Sequence, residues 1–206
     1  MFAKENKLFT GKMLTILLMA ALSLIIAGCS ITGAADSNEA AQPNAAADKN
    51  TKTIETVIEK VFNAPDETFR ELNTAVMEAQ KSLKDQEEFD AFMETPLYKD
   101  LEAYKEDEYA QHFTDNGYES FLSTGSAFSY SWYDGTFKMN PSDIEITQSE
   151  NHSALYHFTF RVNYENEDGK TNNYLFEGKA NIPQEGKIAE IGFEDKDGLQ
   201  QEISGE

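Results

Sequence analysis

Residues 155–164 read LYHFTFRVNY, and the reading of this stretch decides the fold. Successive side chains of an extended chain point to opposite faces. Tyr156, Phe158, Phe160, Val162 and Tyr164 therefore share one side, with His157, Thr159, Arg161 and Asn163 on the other. A strand with one apolar and one polar face belongs to an antiparallel sheet that is wet on one side. Downstream, Glu167-Asp168-Gly169-Lys170 has the chemistry of a hairpin turn. Tyr174, Phe176, Gly178, Ala180 and Ile182 then form a matching face, in which Gly178 is expected to mark a bulge or bend. Gln184-Glu185-Gly186 turns the chain into a further strand over residues 187–193, with Ala189, Ile191 and Phe193 on one side. Upstream, Ile144 and Ile146 alternate with Asp143, Glu145 and Thr147, and the short run Phe128, Tyr130, Trp132 reads as an extended edge.

Before Ser123 the period is 3.6 rather than 2. Ile54, Val57, Ile58, Val61 and Phe62 make one apolar helix face, so the folded domain is expected to begin at Ile54 and run over residues 54–206. Asn63-Ala64-Pro65-Asp66 separates this helix from a second one carrying Phe69, Leu72 and Val76. Asp85 to Asp90 reads as an acidic helix start, Pro96 as a break, and Leu97, Tyr98, Leu101 and Tyr104 as the next helical stripe. Thr114-Asp115-Asn116-Gly117 is turn-like, and Tyr118, Phe121 and Leu122 follow as one more short helix. Helices first and consecutive antiparallel strands after them define an α+β fold, with the helices packed on one face of a four-stranded meander.

Ahead of the domain, residues 30–53 hold almost no large apolar side chain. Such a segment cannot build a core and is expected to be a flexible linker reaching roughly 30 Å. Residues 1–28 combine Lys4, Lys7 and Lys12 with a 15-residue apolar run from Met13 to Ala27. That run is shorter than the roughly 20 residues of a spanning helix and has the order of a secretory signal. It ends in Ile26-Ala27-Gly28-Cys29, which resembles the bacterial lipobox. The resemblance implies that Cys29 takes a diacylglycerol and becomes the first mature residue of a protein held by membrane lipid on the extracytoplasmic face of the cell membrane. Residues 29–53 are then the lipidated cysteine and its linker.

Composition narrows the chemistry. Seventeen Lys and Arg against 37 Asp and Glu give a net charge of −20, which repels phosphate backbones and sets nucleic acid aside as a partner. Loss of residues 1–28 removes three lysines and one glutamate and makes the net −22. One cysteine excludes a disulfide framework and a thiolate zinc site, and the three histidines form no HxxxH pair, so no metal and no cofactor are expected. Asn166, Asp168 and Gly169 echo a calcium loop, but Tyr164 and Leu175 stand where its first and last carboxylates belong. No GxSxG motif or Walker loop occurs.

The element order, together with VIEKVFN-APDE, YAQHFTDNGYESFL, YHFTFRVNYENEDGK and GKIAEIGFED, resembles the NTF2-like (cystatin-like) superfamily over about residues 54–200. More narrowly it is similar to small lipoproteins of Bacillus-type Gram-positive bacteria. The resemblance implies a cone whose sheet and helices enclose a pocket, and it brings no catalytic signature with it. The reading favoured is a non-catalytic binding or interaction module at the cell envelope. Tyr118, Tyr130, Trp132 and Tyr133 are the candidate pocket or contact surface for a small apolar or glycan ligand. Two alternatives stand beside it. One is a ketosteroid-isomerase-type enzyme using Asp115 or His112 as base with Tyr118 and Tyr130 as donors. The other is an envelope stress or sporulation factor acting through a protein partner.

Overall fold

The computed structural model describes residues 45–205. Five helices come first: α1 (Ala45–Phe62), α2 (Glu67–Gln80), α3 (Gln86–Met93), α4 (Pro96–Tyr109) and α5 (Asp115–Ser123). Four strands follow, β1 (Lys138–Gln148), β2 (Leu155–Glu165), β3 (Thr171–Asn181) and β4 (Glu190–Asp195), and α6 (Leu199–Ser204) closes the described chain. The sheet order is β1-β2-β3-β4 with antiparallel neighbours throughout. This is the α+β arrangement the sequence leads one to expect; the signal segment expected over residues 1–28 and the lipidation expected at Cys29 lie outside the described residues.

β2 alternates as read. Tyr156, Phe158, Phe160, Val162 and Tyr164 are buried, and His157, Arg161 and Asn163 are exposed. Phe62, at the end of α1, meets the buried face with ring centroids 4.7 Å from Phe160, 4.8 Å from Phe176 and 5.2 Å from Phe193. The expected bulge at Gly178 is not there, because pairing runs unbroken through Phe158, Gly178 and Phe193. Glycine is needed for space instead. A Cβ at this position would come 2.3 Å from the Phe158 ring and from the Gly192 carbonyl. The irregularity lies in β1, where the register shifts between Ser142 and Glu145 and Asp143 takes φ 52.

Helix starts follow local chemistry. Asp66, Asp85, Thr95 and Thr114 each cap a helix by accepting a backbone N–H three residues on. Thr114 therefore opens α5, and the turn expected over residues 114–117 is a helix N-terminus. Gly117 fits there because a Cβ would meet the Ile188 carbonyl at 2.5 Å. Residues 187–189 were expected in the last strand. Ile188 pairs instead with the chain before α5, its N–H donating to the His112 carbonyl (2.9 Å) and its carbonyl accepting Thr114 N–H (2.9 Å), while Ala189 N–H donates to the Asn181 carbonyl at the end of β3 (2.8 Å).

Two further expectations are corrected. Phe128, Tyr130 and Trp132 are not an extended edge. Phe128 takes φ 55 and residues 129–132 form a 3-10 turn, because Phe128 stacks on Phe69 at 4.1 Å and turns the chain inward. The domain also begins earlier than Ile54. α1 starts at Ala45, and its buried stripe continues backward through Thr53 and Asn50. Asn50 is a polar core residue, so hydropathy alone hides it: its Nδ2 donates to the Tyr156 hydroxyl (3.0 Å) and its Oδ1 accepts from Gly186 N–H (2.7 Å).

Asn50→Ala leaves both of these buried groups unpaired, so it should lower stability by about 1–3 kcal/mol. Chemical denaturation of the variant against wild type measures this. An unchanged midpoint would restore a boundary at Ile54.

Candidate functional site

Two recesses differ in kind. The larger, about 610 Å³, lies on the wet face of the sheet and includes Thr147, His157, Lys179 and Gly192 from adjacent strands. These four residues are exposed and the recess is open to solvent. The smaller, about 310 Å³, lies at the opposite side of the sheet, between the end of α1, the loops around Thr124–Ser126 and Ser129–Tyr133, and β4. Phe62, Tyr130, Tyr133 and Phe193 line it together with Asp195 and Gln200. It shares Tyr133, Asp195 and Gln200 with a second space of about 520 Å³ beside α6.

The smaller cleft holds a group with unspent hydrogen-bonding capacity. Tyr130 is 8% exposed, and no described residue hydrogen-bonds its hydroxyl. The one sealed side-chain polar atom without a partner among the described residues is Nε2 of His112, so the Tyr130 oxygen opens onto the cleft. Burial chiefly, with the charge of Asp195 and the neighbouring Tyr133, holds the Tyr130 phenol well above its ordinary range. It is therefore a neutral donor at physiological pH. Tyr133 sits 6.4 Å from it between ring centroids, and its hydroxyl accepts from Gln200 Nε2 at 3.1 Å.

Arg70 sets the geometry of this wall. Its guanidinium donates to the carbonyls of Ser131 (3.1 Å), Tyr133 and Gly135 (3.3 Å) and lies 5.3 Å from the Phe137 ring centroid. One fork from α2 thus fixes successive carbonyls of the loop that carries both tyrosines, a task suited to the rigid, five-donor guanidinium. Ser131 adds a second tie by accepting Asp66 N–H at 2.8 Å. On the other wall, Asp195 accepts from the backbone N–H groups of Asp197, Gly198 and Gln200 at 2.8–3.2 Å and so fixes the start of α6.

Of the four aromatic residues expected at the site, Tyr130 and Tyr133 come together and the other two do not. Trp132 is 54% exposed and stands edge-on to Phe69 at 5.3 Å, because the 3-10 turn points alternate residues to different sides. Tyr118 is half-buried on α5, where burial and then the charges of Glu106 and Glu102 push its phenol up to about 12. Asp115 is exposed at the first turn of α5 and does not line the cleft. His112, expected on a helix surface, has its ring nitrogen sealed, and burial with the nearby Lys60 and Lys187 charges lowers its pKa. Ser126, Ser129, Asp195 and Gln200 were not singled out in the sequence. Asp195 carried no signal in the sequence, since α6 has six residues and too little periodicity to read.

Among the described residues no group of three or more His, Cys, Asp or Glu side chains is placed to hold a metal ion, and no helix is long and apolar enough to cross a membrane. No protein-family model matches the chain, and no curated protein matches it. Among solved structures it is similar to an NTF2-like protein of unknown function from Exiguobacterium sp. 255-15. The two are 16% identical with a TM-score of 0.30, over 53% of this chain and 92% of that one.

The buried phenols fix the alkaline behaviour. Tyr104, Tyr109 and Tyr130 are all held above the ordinary tyrosine value near 10, burial being the largest cause in each. Their stabilising contribution is complete below pH about 10 and is lost as pH rises from there through their folded values. Phenolate absorbance of these groups should therefore appear together with loss of the circular-dichroism signal above pH about 10. Free ionisation of all nine tyrosines near pH 10 in a still folded protein would contradict the burial described.

Proposed function

We propose that this chain is a lipid-anchored extracytoplasmic protein whose NTF2-like domain is a non-catalytic binding module at the cell envelope, holding a small ligand in the Tyr130–Tyr133 cleft. The observation that carries the reading is the Tyr130 hydroxyl, which has no hydrogen-bond partner among the described residues and faces an aromatic-walled cleft. A hydroxyl held on a cleft wall with its hydrogen-bonding capacity unspent is a ready partner for a ligand that displaces water there. Binding is favoured over acid–base chemistry because no histidine lines the cleft and its one carboxylate, Asp195, is already engaged by backbone N–H groups. The anchor rests on the lipobox-like Ile26-Ala27-Gly28-Cys29. Exposed Trp132 favours a second occupant elsewhere, a protein partner docking beside α2, since tryptophan is enriched at interaction hot spots.

Protein purified from its own host under native conditions should carry a non-covalent small-molecule adduct in native mass spectrometry. Tyr130→Phe, which keeps the ring and removes only the hydroxyl, should lose most of it. An adduct retained at full occupancy in Tyr130→Phe, or none in wild type, would sink the cleft reading. Cys29→Ala should abolish fatty-acid labelling and membrane retention; a variant still labelled and membrane-bound would show that the anchor lies elsewhere.

A further inference from the structure

The cleft is one-sided in its electrostatics. Asp195 is the one charged residue lining it, and the adjoining space beside α6 adds Gly198, Gln201 and Ser204 but no further charge. Three backbone N–H groups hold the Asp195 carboxylate in place, so it cannot swing out to solvent without releasing the start of α6. Lys196, next in the chain, does not neutralise it. Its ammonium is taken by Glu194 (2.8 Å) and Glu177 (3.6 Å).

Five aromatic residues, Phe62, Tyr130, Tyr133, Phe176 and Phe193, complete the wall. An anion entering this space meets a fixed carboxylate with no basic side chain to offset it. An uncharged ligand gains apolar contact and the Tyr130 hydroxyl. A small organic cation gains those contacts and, in addition, attraction to Asp195 and to the electron-rich rings. The field of the whole chain, net −20, acts in the same direction. A bare metal ion is poorly served, because the carboxylate oxygens already accept N–H groups and no second metal ligand of the carboxylate, histidine or cysteine kind lines the space. The volume, about 310 Å³, is at the small end of ligand pockets, enough for one compact head group rather than an extended chain.

We infer that the Tyr130–Tyr133 cleft takes a small organic cation of the trimethylammonium kind, with Asp195 as its counter-charge. The inference deepens the binding reading proposed above and rests on it. Its test compares two probes of the same shape, choline and uncharged 3,3-dimethylbutan-1-ol, titrated calorimetrically into the full chain. Choline should bind at least about tenfold more tightly, a gap worth about 1.4 kcal/mol. Its affinity should fall as salt is raised. Tyr133→Phe should keep choline binding and Tyr133→Leu should lose it. Asp195→Asn should bring the two probes to equal affinity. Because that variant also weakens the start of α6, the wild-type ratio of the two probes is the deciding measurement. Equal binding of choline and its uncharged counterpart overturns the cation inference and leaves the binding module standing. Binding of neither also overturns it, while the Tyr130→Phe adduct measurement decides separately whether the cleft binds anything.

Discussion

The structure turns on the ring of Phe62. It ends α1, and it contacts β2, β3, β4 and the 3-10 turn through Phe160, Phe176, Phe193 and Tyr130, all at centroid distances of 4.7–5.2 Å. Rings at these spacings in tilted or edge-on arrangements gain quadrupole attraction beyond the burial of their area. The same side chain therefore seats the first helix on the sheet and supplies part of the cleft wall. Packing and site geometry are coupled here: a shift of α1 against the sheet displaces a wall of the cleft with it.

A second device works independently of apolar packing. The segment 128–137 has little regular structure, and carbonyls along it lack partners from a helix or sheet ladder. Arg70, one of only two arginines in a chain of seventeen basic residues, supplies them from α2. Lysine, with a point charge and no planar fork, matches three carbonyls spread over five residues less well. The irregular loop that carries Tyr130 and Tyr133 is thus tied to α2 by side-chain hydrogen bonds from Arg70 and Ser131.

The strands were legible because β2 and β3 are wet on one side, so a period of 2 survives in the sequence from Tyr156 to Ile182. The helices were legible from their apolar stripes and the start of α3 from its acidic Asp85, whereas the Thr95 and Thr114 caps were not: Pro96 read as a break and residues 114–117 as a turn. Asn50 escaped notice because a polar residue in the core looks like linker until its partners are known, and those partners lie more than a hundred residues away in Tyr156 and Gly186. Phe128 to Trp132 misled for the opposite reason. Alternating aromatics imitate a strand, and only the stack of Phe128 on Phe69 makes the chain turn there. The cleft was half legible: tyrosines stand out in a sequence, whereas Asp195 and Gln200 acquire meaning only when α6 brings them beside Tyr133.

The irregular first strand has a consequence for how copies of this chain behave at high local density. β1 is eleven residues long and forms one border of the sheet, so its outer N–H and C=O groups offer a template for a second chain to add to. Ala64 occupies one end by pairing with Met139 in both directions. Pro141 then withholds a donor, and Asp143, at φ 52, breaks the line of the backbone. Among the described residues, what remains is the short stretch from Ile144 to Gln148, which carries the charge of Glu145. Along this border a second chain finds no flat, continuous rail to add to.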